Sequence, residues 1–243
     1  QGVSSAASDV YKRQTLDNET ILFGLGAIKG VGEPAIENII EERSIQEFKS
    51  LNDFTSRVDL KRVDKRSIEP LIKSGAMDAF SKDRVNMLEK VEGALKFARQ
   101  KIETKESGIN DLFGEIEESI KIKESSEPSK FSDMEISKLE FSSLGFYLTA
   151  HPIDEHAWEV RKLCPETISS INQSKYNQRC AGVLISQKRI NTRRGPLIFA
   201  TLDDKSDRIE LMISGEVLEK FSGTLDNEKI MIVDGEVTEE LSK

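Results

Sequence analysis

Apolar residues recur at helical spacing from about residue 21 to residue 98, with glycines and polar turns between the segments. The clearest helix start follows Gly32, because Pro34 lies in the first turn, where its missing N–H costs nothing. Four apolar residues then share one helical face: Ala35, Ile36, Ile39 and Ile40. The same spacing predicts further helices over 51–58, 67–73 and 84–98. Residues 15–100 are therefore predicted to form an all-α region.

The helical pattern is lost between residues 101 and 133, where acidic residues outnumber the lysines among them. One apolar island, 111–114, interrupts this stretch, which we predict to be a flexible acidic linker. A helical pattern returns over 134–149 and is expected to end before Pro152, because proline disfavours helix in the preceding residue. Its apolar side chains are predicted to be buried: Leu139, Leu144, Phe146 and Tyr147. Residues 134–178 are thus predicted to be a helical connector.

From residue 179 to residue 243 the apolar period changes to that of strands. Three runs form a predicted meander: 181–185, 197–202 and 208–213. A short helical stretch, 215–221, leads to a fourth strand over 229–237. Three strands, a helix and a fourth strand match the start of an OB fold, a five-stranded barrel whose last strand this sequence does not reach. We predict an α+β multidomain chain, in which an incomplete OB-fold barrel with an unpaired edge follows the all-α region.

The first fourteen residues show neither period and have no relation to the residues that follow. They resemble the translated adapter sequence found at the broken ends of environmental assemblies. Residues 1–14 are therefore interpreted as a non-native lead-in. This interpretation and the missing barrel strand predict that the chain is a fragment of a longer protein.

Composition and charge narrow the class of function. The 243 residues carry a net charge of −8, which argues against a histone-like basic protein because non-specific DNA affinity rests on Lys and Arg. No apolar run is long enough to span a bilayer, so we expect no membrane contact and a cytoplasmic location. The two cysteines and two histidines lack metal-ligand spacing, and no catalytic constellation is recognisable. We predict no metal site, no cofactor and no catalytic residue in this chain.

A glycine-bracketed turn, 26–34, leads directly into the first predicted helix. Glycine lets the backbone approach a ligand closely, and the N–H groups at a helix start attract an anion. We therefore predict a phosphate-contacting hairpin formed by Lys29, Gly30, Val31 and Gly32. The alternative is that the glycines only let two short helices fold back on one another.

Basic residues cluster between two later helical segments: Arg57, Lys61, Arg62, Lys65 and Arg66. A second hairpin here would hold a second run of phosphates. We predict that the DNA contacts come from Lys61, Arg62, Lys65 and Arg66. The alternative is a solvated basic loop, because Asp59 and Asp64 dilute the charge and no second Gly-x-Gly occurs.

The predicted barrel and the acidic linker offer two more candidate surfaces. Four basic residues on the first barrel hairpin would follow a nucleic-acid backbone: Lys188, Arg189, Arg193 and Arg194. Phe199 would offer a stacking face beside them, and the alternative for Phe199 is a place in the core. In the linker, Leu112 and Phe113 would insert into a partner's pocket or fold back onto the chain's own helices.

Three segments in register resemble the C-terminal third of the bacterial DNA polymerase III alpha subunit, the C family of replicative polymerases. They read FGLGAIKGVG at 23–32, LIKSGAMD at 71–78 and LGFYLTAHP at 144–152. The resemblance covers nearly everything from about residue 21 onward. It implies a tandem helix-hairpin-helix region that holds duplex DNA without reading its sequence. It also implies a clamp-binding segment and an OB domain near the single-stranded template.

The resemblance also implies partners and a parent activity. The partners are duplex DNA, the single-stranded template, the beta sliding clamp and other subunits of the polymerase III holoenzyme. The clamp-binding peptide falls on Ile109, Asn110, Asp111, Leu112 and Phe113. Because Ile109 stands where the family usually has glutamine, we expect docking that depends on Leu112 and Phe113 and is weaker than usual. The parent enzyme is a DNA-directed DNA polymerase whose magnesium-binding carboxylates lie upstream in the palm, so this part alone is expected to be inactive.

Two other functions stay open at this point. A helix-hairpin-helix DNA repair enzyme, either a base-excision glycosylase or a nuclease subunit, would use the same hairpin to anchor a catalytic lysine or carboxylate. The long charged linker and the OB-like half fit that function poorly. A protein-interaction scaffold would show no salt-dependent affinity for DNA, whereas each phosphate contact steepens the log–log salt dependence by roughly 0.9.

Overall fold

The computed structural model describes residues 14–15, 21–106, 132–171, 177–193, 195–221, 223 and 225–238. The chain divides into two compact units, Gln1–Thr149 and Ala150–Lys243. The predicted connector, 134–178, is divided between these units at residue 149. Its helix packs with the first unit, and the residues that follow pack with the second.

The first unit begins with a short antiparallel ribbon, in which β1 (Gln14–Thr15) pairs with β2 (Ile21–Leu22). The described residues then form five α-helices: α1 (Glu33–Ile45), α2 (Leu51–Arg57), α3 (Lys65–Lys73), α4 (Arg84–Glu106) and α5 (Asp133–Leu144). Pro34 lies in the first turn of α1, as the sequence predicts. The all-α prediction for this region is confirmed in its helices, and the ribbon is an addition to it.

One apolar core joins helices α1 to α4. A stripe along α4 is buried: Met87, Val91, Ala94, Leu95 and Ala98. Phe54 of α2 and Ile68 and Ile72 of α3 pack into the same core and expose at most 2% of their surface. Burying such a side chain stabilises a fold by about 1.5 to 3 kcal/mol. The turns that connect these helices are therefore held in place by the packed core.

Helix α4 continues past residue 100, where the sequence analysis placed the start of the linker, and ends at Glu106. The sequence explains the extension, because no glycine or proline occurs between Gly93 and Gly108. Within the described residues, the first part of the predicted linker is therefore helical.

Helix α5 differs from its prediction in both its end and its buried face. It ends at Leu144 and not before Pro152, because Gly145 adopts a left-handed conformation with φ 84° and donates its N–H to the Phe141 carbonyl. The buried stripe of α5 is polar: Ser137, Glu140 and Ser143. The leucines and aromatic residues that the sequence predicted to be buried are only partly buried: Leu139, Leu144, Phe146 and Tyr147.

The second unit contains four strands within the described residues: β3 (Gln178–Thr192), β4 (Gly195–Asp203), β5 (Arg208–Ser214) and β6 (Ile230–Gly235). Two helices and two 3-10 turns accompany them: Pro152–His156, α6 (Ala157–Leu163), Ile168–Ser170 and α7 (Gly215–Phe221). The predicted meander, the short helix and the fourth strand are confirmed. Strand β3 is longer than predicted and pairs with both β4 and β6.

The sheet has the order β5-β4-β3-β6 and is antiparallel throughout. The first half of β3 pairs with β6, and the second half pairs with β4. Between the two halves, the register shifts at Leu184 to Ser186, and a bulge of this kind bends a strand. The sheet therefore curls into a half-barrel. Its core lies on the concave face and includes Leu184, Ile198, Ala200, Leu202 and Leu218.

Candidate nucleic-acid interface

The first predicted hairpin joins a 3-10 turn, Leu25–Ala27, to helix α1. Ile28 and Val31 anchor it in the core with 4% and 8% of their surface exposed, and the Val31 N–H donates to the Ile28 carbonyl at 3.3 Å. Gly30 has φ 88°, a left-handed conformation that favours glycine. Gly30 and Gly32 are both exposed. The turn is thus folded by its apolar residues and presents its glycines to solvent.

The N–H groups of Gly30 and Gly32 are available to a ligand. Within the described residues, neither group donates to a protein acceptor. Gly32 is the N-cap of α1 and has no side chain to occupy the helix start. Exposed N–H groups at a helix start attract phosphate because they carry the positive end of the helix dipole.

A second hairpin with the same apolar frame links α2 to α3. Val63 is fully buried, and Leu60 packs against the core three residues before it, as Ile28 does before Val31. Asp64 then caps α3, just as Gly32 begins α1. This hairpin was predicted only as a basic cluster, since it lacks glycines, and the repeated spacing of two apolar residues is the signal that locates it.

Two carboxylates of the second hairpin accept from N–H groups of the same segment. The Asp64 carboxylate accepts from the Ser67 N–H at 3.0 Å and from the Ser67 hydroxyl at 3.1 Å. The Asp59 carboxylate accepts from the Lys61 N–H at 2.9 Å. The Asp64 carboxylate at the start of α3 repels a phosphate, so the exposed basic side chains are the candidate contacts of the second hairpin.

The basic residues of the second hairpin separate into two groups. Arg62 lies 3.7 Å from Asp59, and Lys65 pairs with Glu92 and Glu69. In the part of the chain that the structure describes, no carboxylate lies within 4 Å of the cationic groups of Lys61 or Arg66, and both residues are exposed. Lys61 and Arg66 are therefore the cations with the most freedom to meet a phosphate.

Arg57, which the sequence grouped with this cluster, serves the fold instead. Its guanidinium donates to the Gln46 carbonyl at 2.7 Å and to the Glu47 carbonyl at 3.3 Å. It also lies 4.5 Å from the centre of the Phe48 ring. Arg57 thus stabilises the C-terminal end of α1, and we exclude it from the candidate interface.

The two hairpins lie side by side. A Cβ atom built on Gly30 would lie 3.4 Å from Pro70 Cγ and 3.7 Å from the Arg66 carbonyl oxygen. The glycine turn therefore packs against the helix that carries Arg66. The backbone donors of the first hairpin thus lie close to the helix that follows the second hairpin.

Lys29, beside the glycines, is directed toward α5. Its N–H donates to the Ser143 carbonyl at 2.8 Å, and its Nζ lies 6.0 Å from the centre of the Phe141 ring. A Cβ atom built on Gly145 would lie 2.8 Å from that Nζ. Lys29 is exposed, but its ammonium rests at the C-terminal end of α5.

In the second unit, Phe199 lies on the sheet face opposite the core. It pairs with Lys188 on one side and with Met212 on the other. Phe199 is partly exposed and Met212 is 66% exposed, whereas the strand neighbours of Phe199 belong to the core. The alternative that Phe199 is a core residue is therefore wrong. One aromatic ring and one exposed lysine share this face.

The other predicted basic residues of the sheet do not all join Phe199. Arg189 pairs with Ile198 and so points to the opposite face from Lys188, because side chains alternate along a strand. Arg193 is exposed in the turn between β3 and β4, and Arg194 lies outside the described residues. The structure thus places Lys188 and Phe199 together but separates them from Arg189.

Two family models match the chain. A helix-hairpin-helix motif model matches residues 4–87, so its match begins inside the segment interpreted as a lead-in. A model described as an OB-fold nucleic acid binding domain matches residues 180–242. The predicted fold, a helix-hairpin-helix region followed by an incomplete OB barrel, is confirmed.

Relatives from several bacteria match both regions in one alignment. The chain is similar to the DNA polymerase III subunit alpha of Pseudomonas fluorescens, with 36% identity over 94% of the chain and 21% of the relative. It is 37% identical to that of Vibrio cholerae and 33% identical to that of Escherichia coli K12, in each case over 95% of the chain and 20% of the relative. The chain belongs to the DNA polymerase III alpha-subunit family. It spans about a fifth of the length of these relatives.

Membership of the polymerase III alpha family weighs against the DNA repair enzyme. A repair enzyme would share the hairpin alone, whereas these relatives match over nearly the whole chain, including the helical unit and the barrel. The family's clamp-binding positions fall on 109–113, outside the described residues, so clamp docking stays a prediction.

His151 of the family segment LGFYLTAHP is a structural residue of the second unit. It is 5% exposed, and its Nε2 lies 3.1 Å from an Asp203 carboxylate oxygen. Its Nδ1 accepts from the Ile153 N–H at 3.3 Å, so His151 caps the following 3-10 turn. Burial alone would raise the pKa of Asp203, but hydrogen bonds from His151, the Lys205 N–H and Arg208 outweigh it and hold that pKa at about 2.

The described residues contain no cluster of three or more His, Cys, Asp or Glu side chains arranged to hold a metal ion. Among the described helices, none is both long enough and apolar enough to cross a membrane.

Proposed function

We propose that this chain holds DNA for a replicative DNA polymerase and does not itself transfer nucleotides. The observation that carries this function is the first hairpin, where the exposed N–H groups of Gly30 and Gly32 donate to no acceptor within the described residues and Gly30 packs against the helix that carries Arg66. Donors of this kind bind the phosphates that every DNA sequence shares, so they position the duplex without reading it. Such binding suits a polymerase, which must move along any sequence, and implies a place in the bacterial cytoplasm.

The two hairpins would contribute by different physical means. The first offers backbone N–H groups, which hydrogen-bond phosphate oxygens at close range. In the second hairpin the Asp64 carboxylate occupies the helix start, and the exposed cations of Lys61 and Arg66 are available instead. The surface therefore combines short-range donors with longer-range charge, and this combination offsets the net charge of −8 locally.

Gly32→Asp separates folding from DNA binding at the first hairpin. Gly32 has an ordinary φ of −79°, and a Cβ there would approach only Pro34, at 3.7 Å. Aspartate is a favourable N-cap, so we expect the variant to fold at least as stably as the wild type. Its carboxylate would occupy the phosphate position, so duplex affinity should fall about tenfold or more. Fluorescence anisotropy with a labelled duplex, over a series of salt concentrations, measures the effect.

Two matched variants complete this experiment. Gln100→Glu adds the same charge on the exposed face of α4 and should leave affinity nearly unchanged. Residue 100 lies about 12 Å along the helix from Glu92, which pairs with Lys65 of the second hairpin. The slope of log K against log salt is negative for DNA binding, and Arg66→Met should reduce its magnitude by roughly 0.9. If Gly32→Asp binds duplex as the wild type does while remaining folded, the hairpin is not the phosphate site.

The second unit would contact single-stranded DNA through its outer sheet face. Bases stack on exposed aromatic rings whatever their sequence, and a nearby lysine attracts the backbone. Phe199 and Lys188 supply these two elements at directly paired positions. The OB-fold nucleic acid binding family to which this unit is matched supports the proposal.

Phe199→Ala is expected to weaken single-strand binding by about 5- to 150-fold, which corresponds to the loss of one stacked base. Stability should change less than for a core phenylalanine, because Phe199 lies outside the apolar core. Phe221→Ala is the control, since α7 packs through Leu218 onto the core face of the sheet. Equal losses in the two variants, measured by anisotropy with a labelled oligonucleotide, would refute stacking at Phe199.

Clamp docking completes the proposed role and rests on the sequence alone. We expect Leu112→Ala with Phe113→Ala to abolish binding of this chain to the beta sliding clamp, because the two apolar side chains would fill a pocket on the partner. Surface plasmon resonance on immobilised clamp measures the effect, and duplex binding by the same variant should be unchanged. Undiminished clamp binding would exclude these residues as the dock.

A further inference from the structure

We infer that Lys29 is a positioning residue, which docks helix α5 against the first hairpin, and that it does not contact phosphate. This inference rests on the proposed DNA-binding function of that hairpin. It changes the role expected for the lysine from its position in the sequence beside the glycines.

The contacts of Lys29 are all directed to the end of α5. Its N–H donates to the Ser143 carbonyl at 2.8 Å. Its Nζ lies near the Phe141 ring and so close to Gly145 that a Cβ there would be 2.8 Å away. Backbone and side chain of one residue thus engage the same helical turn.

The end of α5 is a suitable partner for a cation and a donor. The last four carbonyls of a helix have no intrahelical N–H to accept from, and they carry the negative end of the helix dipole. The Ser143 carbonyl is one of these groups, and the N–H of Lys29 satisfies it. The ammonium of Lys29 then lies where the dipole favours a positive charge. Gly145 is required here, since its left-handed φ of 84° and its missing Cβ leave the space that the lysine fills.

Helix α5 is itself held to neighbouring residues through its buried carboxylate. Glu140 is buried and accepts from Arg84 of α4 at 3.1 Å and from the Thr149 N–H at 2.8 Å. Helix α5 also lies against α3, which carries Arg66. The first hairpin is therefore tied through Lys29 and α5 to α3, the helix that follows the second hairpin.

This arrangement makes the docking of α5 part of the DNA-binding device. The N–H groups of Gly30 and Gly32 bind phosphate well only if the turn is held in one conformation, because a loose turn would have to be ordered on binding. Lys29 directly precedes Gly30, so its contacts with α5 hold the start of the glycine turn in place. By linkage, DNA that binds the ordered turn must also stabilise the docked helix.

The test compares Lys29→Met with Arg66→Met and Lys61→Met in the full chain. Hydrogen exchange measures the protection of the α5 amides and of the residue-29 amide. For Lys29→Met we expect a fall in protection of about two- to fivefold, the usual worth of a cation at a helix C-terminus. We expect duplex affinity to fall while the slope of log K against log salt stays as in the wild type. Lys29→Arg should restore both protection and affinity.

Arg66→Met and Lys61→Met should each lower the salt slope by roughly 0.9 and leave α5 protection unchanged. A slope lowered by the same amount in Lys29→Met would show a phosphate contact and overturn the inference. Unchanged protection of α5 in Lys29→Met would overturn it as well. Failure of the proposed function gives a different result: the wild type would then show no salt-dependent duplex binding, and hydrogen exchange would still decide whether Lys29 docks α5.

Discussion

Replacing Glu140 by alanine is expected to lower the free energy of unfolding of the first unit by about 3 to 5 kcal/mol. The Glu140 side chain is 1% exposed and accepts from Arg84 and from both the N–H and the hydroxyl of Thr149, the last two at 2.8 Å. Arg84 is itself only 11% exposed. Removing the carboxylate leaves a buried guanidinium with one fewer partner and a cavity beneath α5. Such a loss approaches the whole stability of many domains.

Two optical probes separate the units in this experiment. Far-UV circular dichroism in urea follows mainly the helices of the first unit, and fluorescence of the single tryptophan, Trp158, follows the second. For Glu140→Ala the dichroism transition should move to lower urea while the fluorescence transition stays. Glu92→Ala removes an exposed ion pair with Lys65 and is expected to have no measurable effect. The dichroism transition of Glu140→Ala gives a free energy of unfolding. A value within about 0.5 kcal/mol of the wild type would show that the buried network does not stabilise the first unit.

Replacing Asp203 by asparagine should destabilise the second unit by about 2 to 3 kcal/mol at pH 7 and flatten its acid dependence. The Asp203 carboxylate accepts from His151 at 3.1 Å and from Arg208 at 2.8 Å. Its pKa of about 2 lies below the ordinary value of 3.8. A carboxyl with a depressed pKa stabilises the fold above its ordinary pKa, and that stabilisation is lost as the pH falls through 2. The difference amounts to about 2 kcal/mol.

Urea unfolding followed by Trp158 fluorescence between pH 7 and pH 2 measures this effect. The wild type should lose more stability than Asp203→Asn between about pH 4 and pH 2. Asp207→Asn is a control in the same turn, because Asp207 is exposed and its carboxylate accepts from the adjacent Arg208 N–H in the contacts described for it. Parallel pH curves for wild type and Asp203→Asn would show that the His151 and Arg208 contacts do not stabilise the folded carboxylate.

Elements whose signals are local were predicted well from the sequence. The start of α1 follows from Gly32 and Pro34, and the strands follow from their period of two. The prediction that α5 runs on toward Pro152 is wrong, because Gly145 in a left-handed conformation closes the helix first. The signal was present, since glycine is the residue that most often closes a helix.

The sequence alone determined that this chain has a helical region, a strand region and a glycine turn at a helix start, because spacing and backbone preference act between near neighbours. Only the tertiary structure decided which polar groups are used by the fold. It assigned Arg57 to the end of α1, Asp64 to the start of α3 and Lys29 to the end of α5. It also placed Phe199 on the outer face of the sheet. These outcomes depend on residues far apart in the chain, whose contacts arise only when the helices and strands pack.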